Sequence, residues 1–390
     1  MKVLTTLSAV IVLFQACVFG QDPHFSQFYA NRVYLNPAYA GFDNGTTVTI
    51  NYRDQWFGIP DGNIGTFSRS FRTYDATVDM NLPCLYGGNF GLAVMAHRDD
   101  AGAAPLRTEG AGLAASFNLM VDQSKHTRYD ITIGGRFGMS HRRLGSNYLI
   151  YSDYLDPILG LDRTQLSDVG LSSSWYPVLG AGILFRRFSD GSVRYQQGRR
   201  KVLGNQQVLG ISFSNINRPD VSLREAAAEY HYPMRVTVHA GAAFFNKPHA
   251  KTVNYFTFAP QFRLDLQEDL SLLSVGFYVL QNNFYLGAFY QTNPFSKGQT
   301  LAANTRTLIL STGVSVRALS KHRSYFLDKI DASDLVIGFS YDVNMSGLDS
   351  SKTLGVLELN MRINFNSDKN RECAIPANYR LYDGECPVNF

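Results

Sequence analysis

The sequence predicts an all-β protein: a transmembrane outer-membrane β-barrel of about 14 antiparallel strands. Residues 334–343 and 356–365 both alternate apolar with mostly polar side chains at a period of two, as in a strand with one apolar face. Each segment has about the 9–11 residues that a tilted strand needs to cross a bilayer. The polar faces carry Asp342, Glu358 and Arg362, which are charges suited to a hydrated lumen.

The composition agrees with a barrel but does not establish one. Charged residues make up 17% of the chain, with 22 Tyr, 27 Phe, 33 Gly and only 2 Trp, whereas soluble proteins have about 25% charged residues. Aromatic girdles, and glycines at crowded lumen positions, would produce this bias. A soluble all-β sandwich would also produce it. The net charge of +4 is too small and too scattered to indicate nucleic-acid binding.

The first twenty residues have the pattern of a secretory signal peptide. A lysine precedes a short apolar run, and Val18 and Gly20 occupy the −3 and −1 positions of a cleavage before Gln21. No later segment reaches the ~18 uninterrupted apolar residues of a transmembrane helix. We therefore expect an integral protein of the outer membrane whose signal peptide, residues 1–20, is removed.

The remaining chain divides into three parts. Residues 21–44 are rich in aromatic and turn-forming residues and are predicted to be an N-terminal periplasmic or plug segment. Residues 45–365 form the barrel, and residues 366–390 form a C-terminal tail that contains Cys and Pro. Cys373 and Cys386 in this tail could form a disulfide outside the cytoplasm, or they could remain unpaired thiols.

Strand patterns separated by turn signals recur along the whole barrel region. The predicted strands are residues 45–53, 69–80, 89–98, 108–120, 128–139, 176–187, 206–214, 234–244, 253–264, 271–280, 283–291, 305–317, 334–343 and 356–365.

The connections indicate an orientation. Those after odd-numbered strands are mostly long and the others mostly short, as in bacterial barrels with a periplasmic N-terminus. Two basic connections, residues 188–205 and 318–333, are exceptions on the predicted periplasmic side. They either contact a periplasmic partner or are charged turns kept out of the lipid.

We find no pattern of catalytic or metal-binding residues, and we expect no enzymatic activity, no cofactor and no metal. Three groups come nearest to such a site, and we interpret them as strand-end charges, loop acids and part of an aromatic belt. They are His97 with Asp99 and Asp100; Asp153, Asp156 and Asp162; and His231.

Two stretches resemble a known family. The first consists of Asp22, Pro23, Phe25, Ser26, Gln27 and Tyr29, followed by Asn36, Pro37, Ala38 and Gly41; the second contains Tyr341 and Asp342. They resemble the opening and closing segments of the PorP/SprF family, outer-membrane proteins associated with the type IX secretion system. The segment from Tyr52 to Trp56 also fits. The family's later Gly-Ser-His-Glu-like run is only partly present, as Gly355 and Glu358.

The resemblance implies an outer-membrane component that supports export, surface anchoring or both, of a large cargo protein. This cargo is of the gliding-adhesin type and carries a type IX C-terminal signal domain. Other components of the secretion machine in the periplasm, and outer-membrane lipid, are the further partners implied; nucleic acid is not. The alternative is a passive porin or transporter for small or apolar solutes, which would need an open lumen.

Two structural hypotheses follow from this interpretation. The N-terminal segment would pack Phe25, Phe28, Tyr29 and Tyr34 against the lumen or rim, as a plug or as a purely structural cap. The connection 141–175 would grip the cargo, because Tyr and Trp dominate protein interfaces. Its candidate cargo-contact residues are Tyr148, Tyr151, Tyr154 and Trp175.

Overall fold

The structure is a computed structural model. It describes residues 22–43, 45–57, 71–82, 90–102, 106–124, 127–144, 155–156, 160–161, 172–189, 193–196, 199–202, 205–223, 230–245, 256–281, 284–295, 306–315, 334–345 and 353–365.

Antiparallel strands dominate the described residues. In chain order they are β1 (Thr46–Gln55), β2 (Phe71–Leu82), β3 (Phe90–Ala101), β4 (Leu106–Gln123), β5 (Thr127–Leu144), β6 (Leu155–Asp156), β7 (Gly160–Leu161), β8 (Tyr176–Ser189), β9 (Val193–Gln196), β10 (Arg199–Val202), β11 (Asn205–Ser214), β12 (Arg235–Phe245), β13 (Phe256–Gln267), β14 (Leu270–Gln281), β15 (Phe284–Thr292), β16 (Arg306–Ser315), β17 (Asp334–Asn344) and β18 (Val356–Phe365).

Within the described part of the chain, fourteen of these strands form one closed barrel; β6, β7, β9 and β10 lie outside it. Neighbours in the barrel follow chain order, and β1 closes the ring against β18, from Thr46 opposite Phe365 to Gln55 opposite Val356. Closure gives every strand a partner on both sides, which removes the exposed edges that lipid would not tolerate. The predicted fold class and strand number are confirmed.

The predicted boundaries are most wrong at β4 and β5. Both strands have 18 residues, whereas alternation indicated only 108–120 and 128–139. Their extensions carry charged residues, including Arg107 on β4 and Arg143 on β5, which lie 3.8 and 3.6 Å from Glu109; the Arg143 contact crosses the hairpin. A prediction that follows apolar alternation stops where this polar extension begins.

Two short hairpins lie outside the barrel wall. The pair β6–β7 falls in the predicted outer connection 141–175, and β9–β10 falls in the basic connection 188–205. The latter was predicted to be a connection without strands, which either contacts a periplasmic partner or is a charged turn. Its strands have four residues each, too few for alternation to reveal them.

The two faces of the wall differ sharply in polarity. Large apolar side chains such as Val94, Leu113 and Leu286 point outward and are more than half exposed, as lipid contact requires. Inward positions carry polar and charged residues that are nonetheless buried, among them Ser340 and Glu358. Separately, no helix in the described ranges is long and apolar enough to cross a membrane.

We name the two ends of the barrel by β1. The near end is where β1 begins, at Thr46, and the far end is where it finishes, at Gln55. The longer predicted connections lie at the far end, which the sequence predicts to face outward.

Candidate functional site

The lumen is occupied by the segment that precedes β1, residues 22–43, here called the plug. Most of its residues are buried and the rest are partly buried. It contains one helical turn, α1 (Arg32–Leu35), and one 3-10 turn, Pro37–Tyr39. The prolines and asparagines of this stretch favour such turns over a long regular element. Its first residues contact the far ends of strands, and its last residues contact the near ends.

The start of the plug is fixed to β12 at the far end. The Asp22 carboxylate lies 3.5 Å from Arg235 and accepts a hydrogen bond of 2.9 Å from Asn215. The Pro23 carbonyl accepts a hydrogen bond of 2.6 Å from the Tyr34 hydroxyl. These contacts fold the first plug residues back over Tyr34.

A carboxylate latch, formed by Glu358 and Asp342 with Arg53, holds Ser26 and Gln27 of the plug. The backbone N–H groups of Ser26 and Gln27 donate to the two Glu358 carboxylate oxygens at 2.7 and 2.9 Å. The Ser26 hydroxyl donates to Asp342. Arg53 lies 3.3 Å from Glu358 and 3.4 Å from Asp342. Charge-assisted hydrogen bonds of this kind are roughly twice as strong as neutral ones.

Aromatic packing fills the space beside the latch. The rings of Phe28 and Tyr29 from the plug contact those of Tyr278 and Phe289 from the wall, with centroids 4.2 Å apart for Tyr29 and Tyr278 and 5.8 Å for Phe28 and Phe289. All four side chains are buried. Because aromatic residues each bury a large area, this cluster fills the space between the plug and the wall with apolar side chains.

The middle of the plug lies directly against glycines in the wall. A Cβ atom at Gly134 would be 2.4 Å from the Ala38 nitrogen, and one at Gly182 would be 2.0 Å from the Asn36 side-chain oxygen. The Asn36 amide donates to the Ile183 carbonyl at 3.3 Å, and its oxygen caps the turn by accepting from Ala38. Any side chain at these two wall positions would push the plug away.

The plug ends near Gly41, at the near end of the barrel. Gly41 has a positive φ of 62° and Gly91 faces it, where an added Cβ would lie 2.1 Å from the Ala40 carbonyl oxygen. Asp43 binds the guanidinium groups of Arg32 and Arg362. Burial alone would raise the pKa of Asp43, but these two cations hold it below its ordinary value.

The plug therefore corrects one sequence expectation. Asp342, Glu358 and Arg362 were expected to face a hydrated lumen, but all three are at most 3% exposed and bind plug atoms. Water is displaced because residues 22–43 occupy the space. Strand alternation identifies which face a residue lies on, but not what fills the space in front of it.

Most of the residues chosen from the family resemblance come together here. The structure places Asp22, Pro23, Phe25, Ser26, Gln27, Tyr29, Asn36, Pro37, Ala38 and Gly41 in the plug, and Asp342 in the latch. Tyr341 is on the opposite face of β17, where its hydroxyl donates to the Leu354 carbonyl at 2.9 Å. Its side chain does not face the lumen.

The residues predicted to contact cargo or to form a disulfide lie at the rim or outside the described ranges. Trp175 is 61% exposed at the far end, and its ring stacks on His141 at 5.3 Å. Tyr148, Tyr151, Tyr154, Cys373 and Cys386 lie outside the described residues.

Several functional residues were not chosen from the sequence. Arg53 was noted only as a family position, and Glu358 only as a family position and a lumen-facing charge; Arg235, Arg263 and the wall glycines were not selected. Arg263 donates to the Phe25 carbonyl at 3.0 Å. The available signal was a charged residue at an inward position of a predicted strand, since such a charge requires a partner in the lumen.

The groups that came nearest to a catalytic pattern have ordinary partners where they are described. Thr73 donates to Asp99, at 2.6 Å, and Asp100 pairs with Arg98 and Arg107. His231 lies at the surface, 3.2 Å from the Arg218 carbonyl. Asp153 and Asp162 are outside the described ranges.

Together, these features define a class: an outer-membrane β-barrel whose lumen is filled by its own N-terminal segment. A family model described as type IX secretion system membrane protein PorP/SprF matches residues 18–363. The chain belongs to this family.

Among solved structures, the chain is similar to several proteins at low identity. One is a Pseudomonas aeruginosa FadL homologue, with 9% identity, a TM-score of 0.36, and 86% of this chain and 94% of that chain covered. Another is the β domain of the Bordetella autotransporter BrkA, with 10% identity, a TM-score of 0.35, and 83% of this chain and 99% of that chain covered. A third is the P. putida toluene transporter TodX, with 10% identity, a TM-score of 0.31, and 84% of this chain and 90% of that chain covered. No curated protein matches the sequence.

Proposed function

We propose that this protein is a plugged outer-membrane platform of the type IX secretion system. In this role it supports the export or surface anchoring of a large cargo protein, of the gliding-adhesin type, through the cargo's C-terminal signal domain. The barrel itself does not conduct the cargo or a small solute. Its contribution is binding rather than catalysis.

The latch is the observation that carries this proposal. The plug is attached by hydrogen bonds of 2.7 and 2.9 Å to a buried carboxylate, backed by Arg53, and by close packing against glycines of the wall. A passive transporter needs an open path, and opening one would break these hydrogen bonds and this close packing. A permanently filled barrel is better suited to binding partners at its two ends.

The far end offers a surface for the cargo. Trp175, Phe295 and Met345 are each more than 60% exposed there, beyond the positions that face lipid in the middle of the wall. Exposed aromatic residues and Met are enriched at protein interfaces. We propose that they act with Tyr148, Tyr151 and Tyr154 from the longest outer connection.

The near end would face the periplasm and the rest of the secretion machine. In this arrangement the signal peptide, residues 1–20, has been removed and outer-membrane lipid surrounds the wall. The basic hairpin β9–β10 lies at this end, in the connection between β8 and β11. Periplasmic components of the secretion system are the partners that we propose for it.

Purification from the native outer membrane tests the proposal. We expect the wild-type barrel to retain a large secreted surface protein, and we expect Trp175→Ala to lower its recovery at least several-fold, because central interface aromatics often contribute about 2 kcal/mol or more. Phe284→Ala is the matched control, since Phe284 is 57% exposed at the opposite end. Bound proteins would be identified by mass spectrometry.

Two results would contradict this role. One is equal cargo recovery with Trp175→Ala and wild type, which would remove the far-end surface from the proposal. The other is a barrel that is purified alone and conducts ions in a planar bilayer, which would favour the transporter alternative.

A further inference from the structure

The outward face of β4 and β5 changes from apolar to charged at one level of the wall. Outward positions within residues 111–119 of β4 carry apolar side chains, and those within residues 131–139 of β5, which pair with them in register, carry apolar side chains or glycine. Each stretch has about the 9–11 residues that a tilted strand needs to cross the hydrocarbon. The next outward positions toward the far end therefore lie at the level of the lipid headgroups.

Charged residues occupy this level on three neighbouring strands. Arg98 on β3 is opposite Glu109 on β4, and Asp100 on β3 is opposite Arg107. Arg107 is in turn opposite Arg143 on β5. Strand alternation places all five side chains on the outward face. We call these five residues the arginine lattice.

The two carboxylates of the lattice are shared by its three guanidinium groups. Glu109 lies 3.7, 3.8 and 3.6 Å from Arg98, Arg107 and Arg143. Asp100 lies 3.0 Å from Arg98 and 2.5 Å from Arg107. Three cations against two anions leave the lattice with one surplus positive charge.

The arginines are the more exposed members of the lattice. The side chains of Arg98 and Arg143 are 42% and 49% exposed, whereas that of Asp100 is 15% exposed. A guanidinium group has five N–H donors and no acceptor, so the shared carboxylates leave further donors for a ligand. The carboxylates orient the arginines, and the exposed guanidinium groups form an anion-binding surface.

The lattice is confined to one side of the barrel. On other strands, outward positions near the far end carry neutral residues such as Leu266, Val343 and Leu357, with Arg306 on β16 as a charged exception. A general need for charge at the membrane surface would apply all round the wall. The one-sided position therefore indicates a specific ligand.

We propose that the arginine lattice binds the phosphate groups of a glycolipid of the outer leaflet, namely lipopolysaccharide. Arginine matches phosphate geometry with paired, charge-assisted hydrogen bonds. The outer leaflet of a bacterial outer membrane consists largely of phosphorylated glycolipid, and the far end is the one predicted to face outward. The proposal uses this orientation and does not depend on the cargo role.

The surface beneath the lattice favours a lipid over a protein ligand. Val94, Leu113 and Phe137 lie on the same outward face, closer to the middle of the wall, and each is more than half exposed. A glycolipid would place its acyl chains against these side chains and its phosphates against the arginines. One ligand thus matches both the apolar and the charged level.

Lipid binding by the purified, full-length barrel in detergent tests the proposal. The probes are lipopolysaccharide from the native outer membrane, the same material after phosphatase treatment, and phosphatidylglycerol at matched phosphate concentration. Dissociation constants are measured by titration, and folding is monitored by circular dichroism. We expect saturable binding of intact lipopolysaccharide, and at least several-fold weaker binding of the other two probes.

Variants of the lattice locate the site. We expect Arg98→Ala and Arg143→Ala each to weaken binding of lipopolysaccharide about fivefold, because a cation near an anionic membrane surface contributes about that factor. Arg306→Ala is the matched control, since it removes an exposed far-end arginine from β16 instead. It should bind as tightly as the wild type.

Each other outcome would overturn the proposal. No binding by the wild type would mean that the lattice is only a solvated charged surface. Equal binding after phosphatase treatment would exclude phosphate as the recognised group, and equal binding of phosphatidylglycerol would exclude the outer-leaflet glycolipid as the specific source. Equal losses for Arg306→Ala and Arg143→Ala would indicate a nonspecific charge effect. If Arg98→Ala does not fold, Arg143→Ala decides the question, because its side chain is half exposed and its ion pair with Glu109 is 3.6 Å long.

Discussion

Glu358 shows how one buried side chain can hold a whole segment. Its carboxylate accepts from the backbone N–H groups of Ser26 and Gln27 on one side and faces Arg53 on the other. It is 0% exposed, so water cannot replace any of these partners. Removing the charge therefore weakens three contacts at once.

Glu358→Gln is expected to destabilise the folded barrel. The amide keeps the shape but loses the charge, and it places an NH₂ group where an acceptor is required, at a cost of about 1–3 kcal/mol. The control is Glu109→Gln on β4, whose ion pairs at 3.6–3.8 Å are partly exposed and contribute at most about 1 kcal/mol. Urea unfolding in lipid vesicles measures both. Equal losses for the two variants would contradict a latch at Glu358.

The sequence predicted where this residue points but not what it binds. Alternation along β17 and β18 places Asp342, Glu358 and Arg362 on the inner face, because strand periodicity is a local property. Their partners in the plug, such as Ser26, are more than 300 positions away in the chain. Such contacts depend on the path of the plug, which no periodic pattern records.

Strands were easier to predict than the plug for the same reason. All fourteen barrel strands follow the chain in order, so each was detectable from its own residues and its immediate turns. Residues 22–43 contain only one helical turn and one 3-10 turn, and their conformation is set by the surrounding wall. Proline and aromatic content excluded a long regular element but left the position of the segment open.

The fit between plug and wall predicts a contrast between two adjacent glycines of β5. Gly134→Ala is expected to destabilise the barrel by about 1–3 kcal/mol, because its Cβ would lie 2.4–2.6 Å from the backbone of Pro37 and Ala38. Gly135→Ala is the matched control, since nothing lies within 4 Å of an added Cβ there. Thermal unfolding measures stability, and limited proteolysis of the N-terminal segment reports release of the plug. Similar behaviour of the two variants would contradict close packing at Ala38.

The complete barrel is predicted to be sealed in its resting state. Deleting residues 22–43 removes the latch partners and the aromatic cluster together, and a wall of fourteen strands is wide enough to enclose a lumen. We therefore expect stepwise conductance from the deletion variant in planar bilayers and none from the wild type. Deleting residues 193–202, which form the hairpin outside the wall, is the control and should leave the barrel silent. Comparable conductance from wild type and plug deletion would show that the plug does not seal the lumen.

The position of the latch has a consequence for biogenesis. Arg53 and Glu358 face each other across the pairing of β1 with β18, so this ion pair cannot form until the first strand meets the last. The plug, although it is synthesised before any strand, has no complete binding site until that moment. Insertion of the final strand and retention of the N-terminal segment are thereby one event, and a barrel left open at this junction would expose its N-terminus to periplasmic proteases. The contact that closes the wall is therefore present only in a completely inserted barrel. Its absence leaves an incomplete barrel open to degradation.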